Sequence, residues 1–351
     1  MNAESYVRAM PKVELGASLE GLVRKEAWLS IAEQNEIPDT DKQFGQWAGL
    51  LENPDYRQLD NLVQALLDWL QYPEDLTRLV YDAGVALANQ NVKYAEIHLN
   101  PSLLMLPGMA FDEFMSAIDD GRGRAERGWD IRMAWVLTVS RDQPRRADDT
   151  LRWIASPTGK KSSIVAYGLV GQEDIHPAGQ FERAFAAAQK KDIPTIAQAG
   201  GVLGGEGVLD VLQQLNPSRI IDGWGAAESP DVQQLLREHD VPIVASMARA
   251  LCHNWTGSYS SYPLQHLFDE NIKVVLSASH PTFYKASLSD EYLAATEHCG
   301  LAVDDMDEIA LNAIRYSYLP DEDKSALIAD FAATYKQLRA KHIDSPTLGA
   351  Q

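Results

Sequence analysis

Short runs of β-branched residues alternate along the chain with stretches whose apolar positions recur at helical spacing. Val13-Glu14-Leu15 reads as a first strand, followed by a helix within Leu22–Asn35. A second strand is expected over Val92–Leu99, after a helix of about Glu74–Asn89. Further strands read at Ile131–Val139, Ser163–Leu169, Ile193–Ala197, Arg219–Ile221, Pro242–Ala245 and Lys273–Leu276. Helical stretches fall between them near Phe111–Arg127, Gln143–Ile154, Gln180–Lys190, Val208–Leu215, Ser229–His239 and Tyr262–Glu270. About eight such units with short connections predict a parallel sheet closed into a (β/α)8 barrel, rather than an open doubly wound sheet.

Two stretches fall outside that alternation. Asp39–Tyr72 is a helical insertion after the first βα unit, apolar at Phe44, Trp47, Leu50, Leu51, Leu62, Leu66 and Trp69, and expected over the barrel mouth as a lid or an interface. Asp304 to about His342 adds helices outside the barrel. The whole reads as one domain, residues 1–344, with a loose tail at 345–351.

Charge narrows the function. The chain's 351 residues carry 31 Lys and Arg against 50 Asp and Glu, a net charge of −19. That balance argues against a partner recognised through its phosphates, so no nucleic acid is expected. The two cysteines, Cys252 and Cys299, are too few for a disulfide framework or a thiolate zinc site. No window approaches the roughly 18 uninterrupted apolar residues of a membrane span, and the N-terminus lacks a signal peptide's apolar core. The expectation is a soluble cytoplasmic protein.

In such a barrel, chemistry comes from the C-terminal ends of the strands. Those ends read Gly16-Ala17-Ser18-Leu19-Glu20-Gly21, His98-Leu99-Asn100-Pro101, Gly168 to Gly171, Gln198-Ala199-Gly200-Gly201, Asp222-Gly223-Trp224, Ser246, and Ser277-Ala278-Ser279-His280-Pro281.

With those segments in view, the sequence resembles the adenosine/adenine deaminase family of the amidohydrolase superfamily. Pro11-Lys12-Val13-Glu14-Leu15, then Leu19-Glu20-Gly21, is similar to the family's Pro-Lys-x-Glu-Leu-His-x-His-Leu-(Asp/Glu)-Gly. Tyr94-Ala95-Glu96-Ile97 with Asn100-Pro101 resembles its second strand. Gln198-Ala199-Gly200-Gly201 resembles His-Ala-Gly-Glu, and Arg219-Ile220-Ile221-Asp222-Gly223 resembles Arg-Ile-Gly-His-Gly. Ser279-His280-Pro281, followed by Ser289-Asp290-Glu291-Tyr292, resembles Thr-Asp-Asp-Pro and the helix after it. Order and spacing agree from about residue 10 to residue 318.

The departures bear on chemistry. The resemblance assigns four zinc-ligand positions to Gly16, Ser18, Gln198 and Ser279, and the general-acid position to Gly201. It places Asp222 where the family has the histidine that assists the attacking water, and His280 where it has a purine-contacting aspartate. Zinc needs about three ligands drawn from His, carboxylate or Cys, so the resemblance implies the fold while counting against the family's own reaction, and no metal or other cofactor is expected.

Asp222 and His280 are the candidate catalytic pair, as base and orienter or as ligand contacts. Ser18, Glu20, Gly171, Gln198 and Ser279 are the candidate binding residues. Glu20 and Gly171 match family positions that meet the ribose and the purine, and so point to a purine- or nucleoside-like small molecule. A nucleophilic Ser279 is weighed down by the rule that neighbours on a strand point apart. Arg249, in the loop after the seventh strand, reads as a solvated side chain or as a partner for an anionic ligand group. Four functional readings stay open: a vestigial deaminase homologue that binds a small molecule, a metal-free hydrolase or isomerase using Asp222 and His280, a structural or regulatory subunit pairing with an active relative through its outer helices, and an active adenosine deaminase, which overall similarity alone would suggest; a homo-oligomer is open as well.

Overall fold

The computed structural model describes residues 3–37 and 55–344. Eight strands run in chain order around one sheet: β1 (Lys12–Glu14), β2 (Val92–Leu99), β3 (Arg132–Ser140), β4 (Ile164–Val170), β5 (Thr195–Ala199), β6 (Arg219–Asp222), β7 (Ile243–Ala245) and β8 (Val274–Leu276). Every neighbouring pair is parallel. With helices covering the sheet outside and side chains filling it inside, strands such as β2 and β5 are buried almost throughout, so polar residues they carry, such as Glu96, His98 and Gln198, are buried with them. The predicted (β/α)8 barrel is the fold.

The seam between β1 and β8 is bridged by a buried carboxylate. Glu14 accepts from the Gly16 N–H at 2.9 Å and from the Ala278 N–H at 2.9 Å, and the Ser18 N–H reaches the Ser279 carbonyl at 3.1 Å. Burial pushes the Glu14 carboxyl above its ordinary range, against the hydrogen bonds from Ser277, Ala278 and Gly16. A second buried polar contact joins β2 to β6: Arg219 pairs with Glu96 at 2.7 Å and lies 4.5 Å from the centre of the Tyr318 ring. Glu14, Glu96 and Arg219, all carried by motifs that resemble the family, therefore tie the barrel together.

Strand boundaries fall within two residues of those expected. Three differences bear on the site. The helix over Gly204–Leu215 begins four residues earlier than periodicity indicates, running through Gly204, Gly205 and Gly207. Residues Met247–Cys252, read as a loop, form a short helix with Ser246 as its N-cap. Of the insertion, Leu59–Leu67 is a helix whose Leu62 and Leu66 are buried; Phe44, Trp47, Leu50 and Leu51, like the tail at 345–351, lie outside the described residues. Beyond the barrel, Val303–Arg315 and Asp321–His342 are the expected C-terminal helices. No helix among the described residues is long and apolar enough to cross a membrane.

Candidate functional site

A cavity of about 400 Å³ opens at the C-terminal ends of the strands, a size typical of small-molecule sites. Ser18, Glu20, Gly171, Gln198, Ser279 and His280 all line it, together with His98, Asn100 and Arg249. Tyr56, Leu59, Val63 and Leu67 line it from the second half of the insertion, with the polar Asp60, Asn61 and Gln64 among them. Of the candidates, Asp222 alone does not line the cavity; it is 2 % exposed and lies beneath it.

Asp222 and His280 turn to different partners. Asp222 Oδ2 accepts from Gln198 Nε2 at 3.0 Å, and its Oδ1 lies 3.3 Å from Arg249 Nε. Gln198 in turn accepts the Gly171 N–H at 3.0 Å through Oε1, so Gly171, left-handed at φ +100°, spends its amide inside the protein. His280 Nδ1 instead lies 3.0 Å from Ser279 Oγ, and its Nε2 lies 3.5 Å from Glu20 Oε1. The expected base-and-orienter pair is thus two separate clusters. The expectation that Ser279 and His280 point apart also fails: Ser279 takes φ +56°, which breaks the strand's alternation and folds its hydroxyl back toward the next side chain.

Arg249 joins the clusters. Rather than a solvated loop side chain, it is a largely buried guanidinium beside Asp222, donating through Nη1 to Ser279 Oγ at 3.4 Å and lying 5.4 Å from the Trp255 ring centre. Burial works against its charge, but Asp222 and other acidic groups outweigh that and raise its pKa. Burial likewise pushes Asp222 up, with Arg249 and the Gln198 hydrogen bond pulling it back. The helix carrying Arg249 is held from behind by Glu291, which accepts from Met247 N–H at 2.9 Å, Ala248 N–H at 3.0 Å and Ser246 Oγ at 3.2 Å. Burial leaves the Glu291 carboxyl near 7.

Glu173 and Trp255 are not apparent as site residues in the sequence, and the burial of Arg249 against Asp222 is not apparent either. For the helix that carries Arg249 a signal existed: Ser246 followed by Met-Ala-Arg-Ala-Leu is an N-cap ahead of good helix formers. Glu173, which accepts from the Gly200, Gly201 and Val202 N–H groups at 2.7–3.0 Å and so shapes the loop after β5, had none. Nor did Trp255, whose ring covers Gly201.

The zinc ion that the resemblance implies does not fit these residues. The four positions offer a glycine, two hydroxyls and an amide, and among the described residues no three or more His, Cys, Asp or Glu are grouped to hold a metal. Nor is there room for the missing side chains at two of the positions. A Cβ on Gly16 would lie 2.8 Å from both Ser277 Oγ and Val244 Cγ1, and a Cβ on Gly201, the general-acid position, 2.6 Å from the Trp255 indole.

His98 closes the inner side of the cavity. It is buried, its Nε2 has no hydrogen-bond partner among the described residues, and burial, with Arg219 the next largest influence, lowers its pKa to about 3. The imidazole is therefore neutral at pH 7. Because its folded pKa lies below the unfolded value, its contribution to stability is present above about pH 6.5 and is lost as pH falls toward 3. Between pH 7 and 5 this amounts to about 2 kcal/mol. Urea unfolding at both pH values should show wild type losing that much more than His98→Gln; equal losses would contradict a neutral buried imidazole.

This barrel, with its polar cluster at the C-terminal mouth, belongs to the adenosine deaminase family, whose family model matches residues 11–334. Among curated relatives, the adenosine deaminase of Clostridium botulinum (strain 657 / Type Ba4) is 25% identical over 327 residues, covering 91% of this chain and 98% of its own. Among solved structures, an amidohydrolase from Burkhoderia ambifaria with bound Zn superposes with a TM-score of 0.88 at 22% identity, covering 97% of this chain and 95% of its own. Arabidopsis ADAL complexed with GMP gives 0.82 at 19% identity, covering 94% and 98%.

Proposed function

We propose that this chain is a deaminase-family barrel whose resident cation is Arg249 rather than zinc, and whose cavity receives a purine-like small molecule without hydrolytic deamination. The observation that carries the reading is the Arg249 guanidinium seated on Asp222 and Ser279, two positions that the family resemblance assigns to zinc chemistry. Trp255 over Gly201 supports it, because a deaminase needs a positioned carboxylate there to move protons and this chain has an indole against a glycine. The ligand class rests on Glu20, which is held at the cavity wall at a family ribose position, on the mixed wall from Tyr56 to Leu67, whose Leu59, Val63 and Leu67 offer an apolar surface beside Asp60, Asn61 and Gln64, and on the GMP bound by the Arabidopsis relative.

Purine nucleosides and nucleotides (adenosine, inosine, AMP, GMP) should raise the melting temperature of the purified protein, because a ligand that binds only the folded state stabilises it by RT ln(1 + [L]/Kd), about 2.7 kcal/mol at a hundredfold excess over Kd. Glu20→Ala should reduce the shift. Adenosine, followed by ultraviolet absorbance with zinc added, should not be turned over. Turnover above trace rate, or no shift with any purine, contradicts the proposal.

A further inference from the structure

Ser279, His280 and Glu20 form a continuous chain of contacts at the cavity wall, and we propose that it is a nucleophilic relay: Ser279 the nucleophile, His280 its general base, Glu20 the positioning residue, acting on a carboxylic ester small enough for the cavity. The proposal rests on the reading above only in requiring that the cavity admit a small organic molecule and that no metal hold Ser279.

The geometry assigns each atom a task. Ser279 Oγ lies 3.0 Å from His280 Nδ1, within the reach a base needs to take a hydroxyl proton. His280 Nε2 lies 3.5 Å from Glu20 Oε1. The tautomer protonated on Nε2 satisfies that carboxylate and leaves Nδ1 free to accept, as a third group orienting the base should arrange. Arg249 Nη1, 3.4 Å from Oγ, sets a positive charge beside the developing alkoxide and the oxyanion that follows. Asn100 Nδ2, buried on the same cavity wall, has no partner among the described residues.

The backbone is built to hold this. Ser279 sits at φ +56° on the sharp turn from β8 into the short helix Pro281–Tyr284; its N–H is held by Ser277 Oγ at 3.0 Å and its carbonyl by the Ser18 N–H at 3.1 Å. A left-handed serine between a strand and a helix is strained, and such strain persists where the surroundings enforce it. Gly21 lets His280 approach: a Cβ there would lie 2.6 Å from His280 Cα. Two features read separately in the sequence, an odd serine at a family metal position and a retained Glu20, thereby become ends of one relay.

The reaction balances with water alone. Ser279 Oγ bonds to the ester carbonyl carbon as its proton passes to His280 Nδ1, and the carbonyl electrons move onto oxygen. Collapse breaks the bond to the alkoxy group, which leaves with the proton from His280. Water then attacks the acyl carbon, giving its proton to His280, and the acid leaves as Ser279 recovers its proton. Ester and water become acid and alcohol.

Diisopropyl fluorophosphate, which phosphorylates activated serines and releases fluoride, is the test reagent. The expected result is time-dependent addition of one group per chain, mapped by peptide mass spectrometry to Ser279, with parallel loss of p-nitrophenyl acetate hydrolysis. Ser279→Ala should abolish both while melting near the wild-type temperature. His280→Gln should slow labelling by about a hundredfold or more. Glu20→Gln should slow it less and shift the midpoint of its pH profile, a change that a packing role alone would not produce. No label on folded wild-type protein, or label at another residue that survives in Ser279→Ala, overturns the relay. A protein that binds purines but resists labelling overturns the relay alone; one that labels but shifts with no purine overturns only the ligand assignment.

Discussion

Arg249→Ala should lower stability by about 3–5 kcal/mol in urea unfolding, the cost of leaving one member of a buried ion pair without its partner. Asp222 would be the stranded group. It is 2 % exposed and would keep the Gln198 hydrogen bond alone. Its carboxyl would rise further in pKa, since burial already raises it and Arg249 is the largest influence holding it down. Arg249→Lys should be intermediate, because an ammonium keeps the charge but loses the planar reach to Asp222, Ser279 and the Trp255 ring together. The paired variant Asp222→Asn, Arg249→Gln should cost less than the two single changes added, since removing both charges leaves neither uncompensated. A cost under about 1 kcal/mol for Arg249→Ala would mean that the guanidinium is a solvated surface charge.

Gly16→His is the second large effect, and it tests whether the metal site can be rebuilt. The change restores a family zinc ligand in name, yet the first atom of the new side chain would meet Ser277 Oγ and Val244 Cγ1 at 2.8 Å. Either β7 and β8 shift or the side chain is expelled, and overpacking of this kind costs about 1–3 kcal/mol or more. Gly16→Ala should already cost part of that, which separates the volume effect from imidazole chemistry. The strain acts where Glu14 bridges β1 to β8 through the Gly16 and Ala278 amides, so a loss of unfolding cooperativity is also expected. Wild-type stability in Gly16→His would contradict the packing described here.

The barrel was legible because its signal is distributed. Each strand is a short run with an apolar centre or apolar flanks, and a shift of two residues, as at Thr195–Ala199 against Ile193–Ala197, leaves the alternation intact. Glu14, Glu96 and Arg219 sit in the most recognisable motifs, and those are the residues that hold strands together. The mouth was legible only in composition. Ser18, Glu20, Gly171, Gln198, Ser279 and His280 do come together around one cavity, but which of them touch depends on backbone turns. The φ of Ser279 decides whether it meets His280, and strand periodicity is silent on a single left-handed residue. Arg249 was misplaced for a related reason: its helix is six residues long, stabilised by Glu291 more than forty positions away rather than by its own propensity. Trp255 over Gly201 is a contact between distant segments that no local pattern announces.

The proposed replacement is of one cation by another, a guanidinium where the family's chemistry uses zinc. Its most direct test is the zinc content of the full-length protein, purified without chelators from zinc-supplemented cells and measured by elemental mass spectrometry. The prediction is zinc far below stoichiometric. About one tightly held zinc per chain would require a ligand set other than Gly16, Ser18, Gln198 and Ser279, displace Arg249 from the centre of the site, and return hydrolytic deamination as the activity to measure.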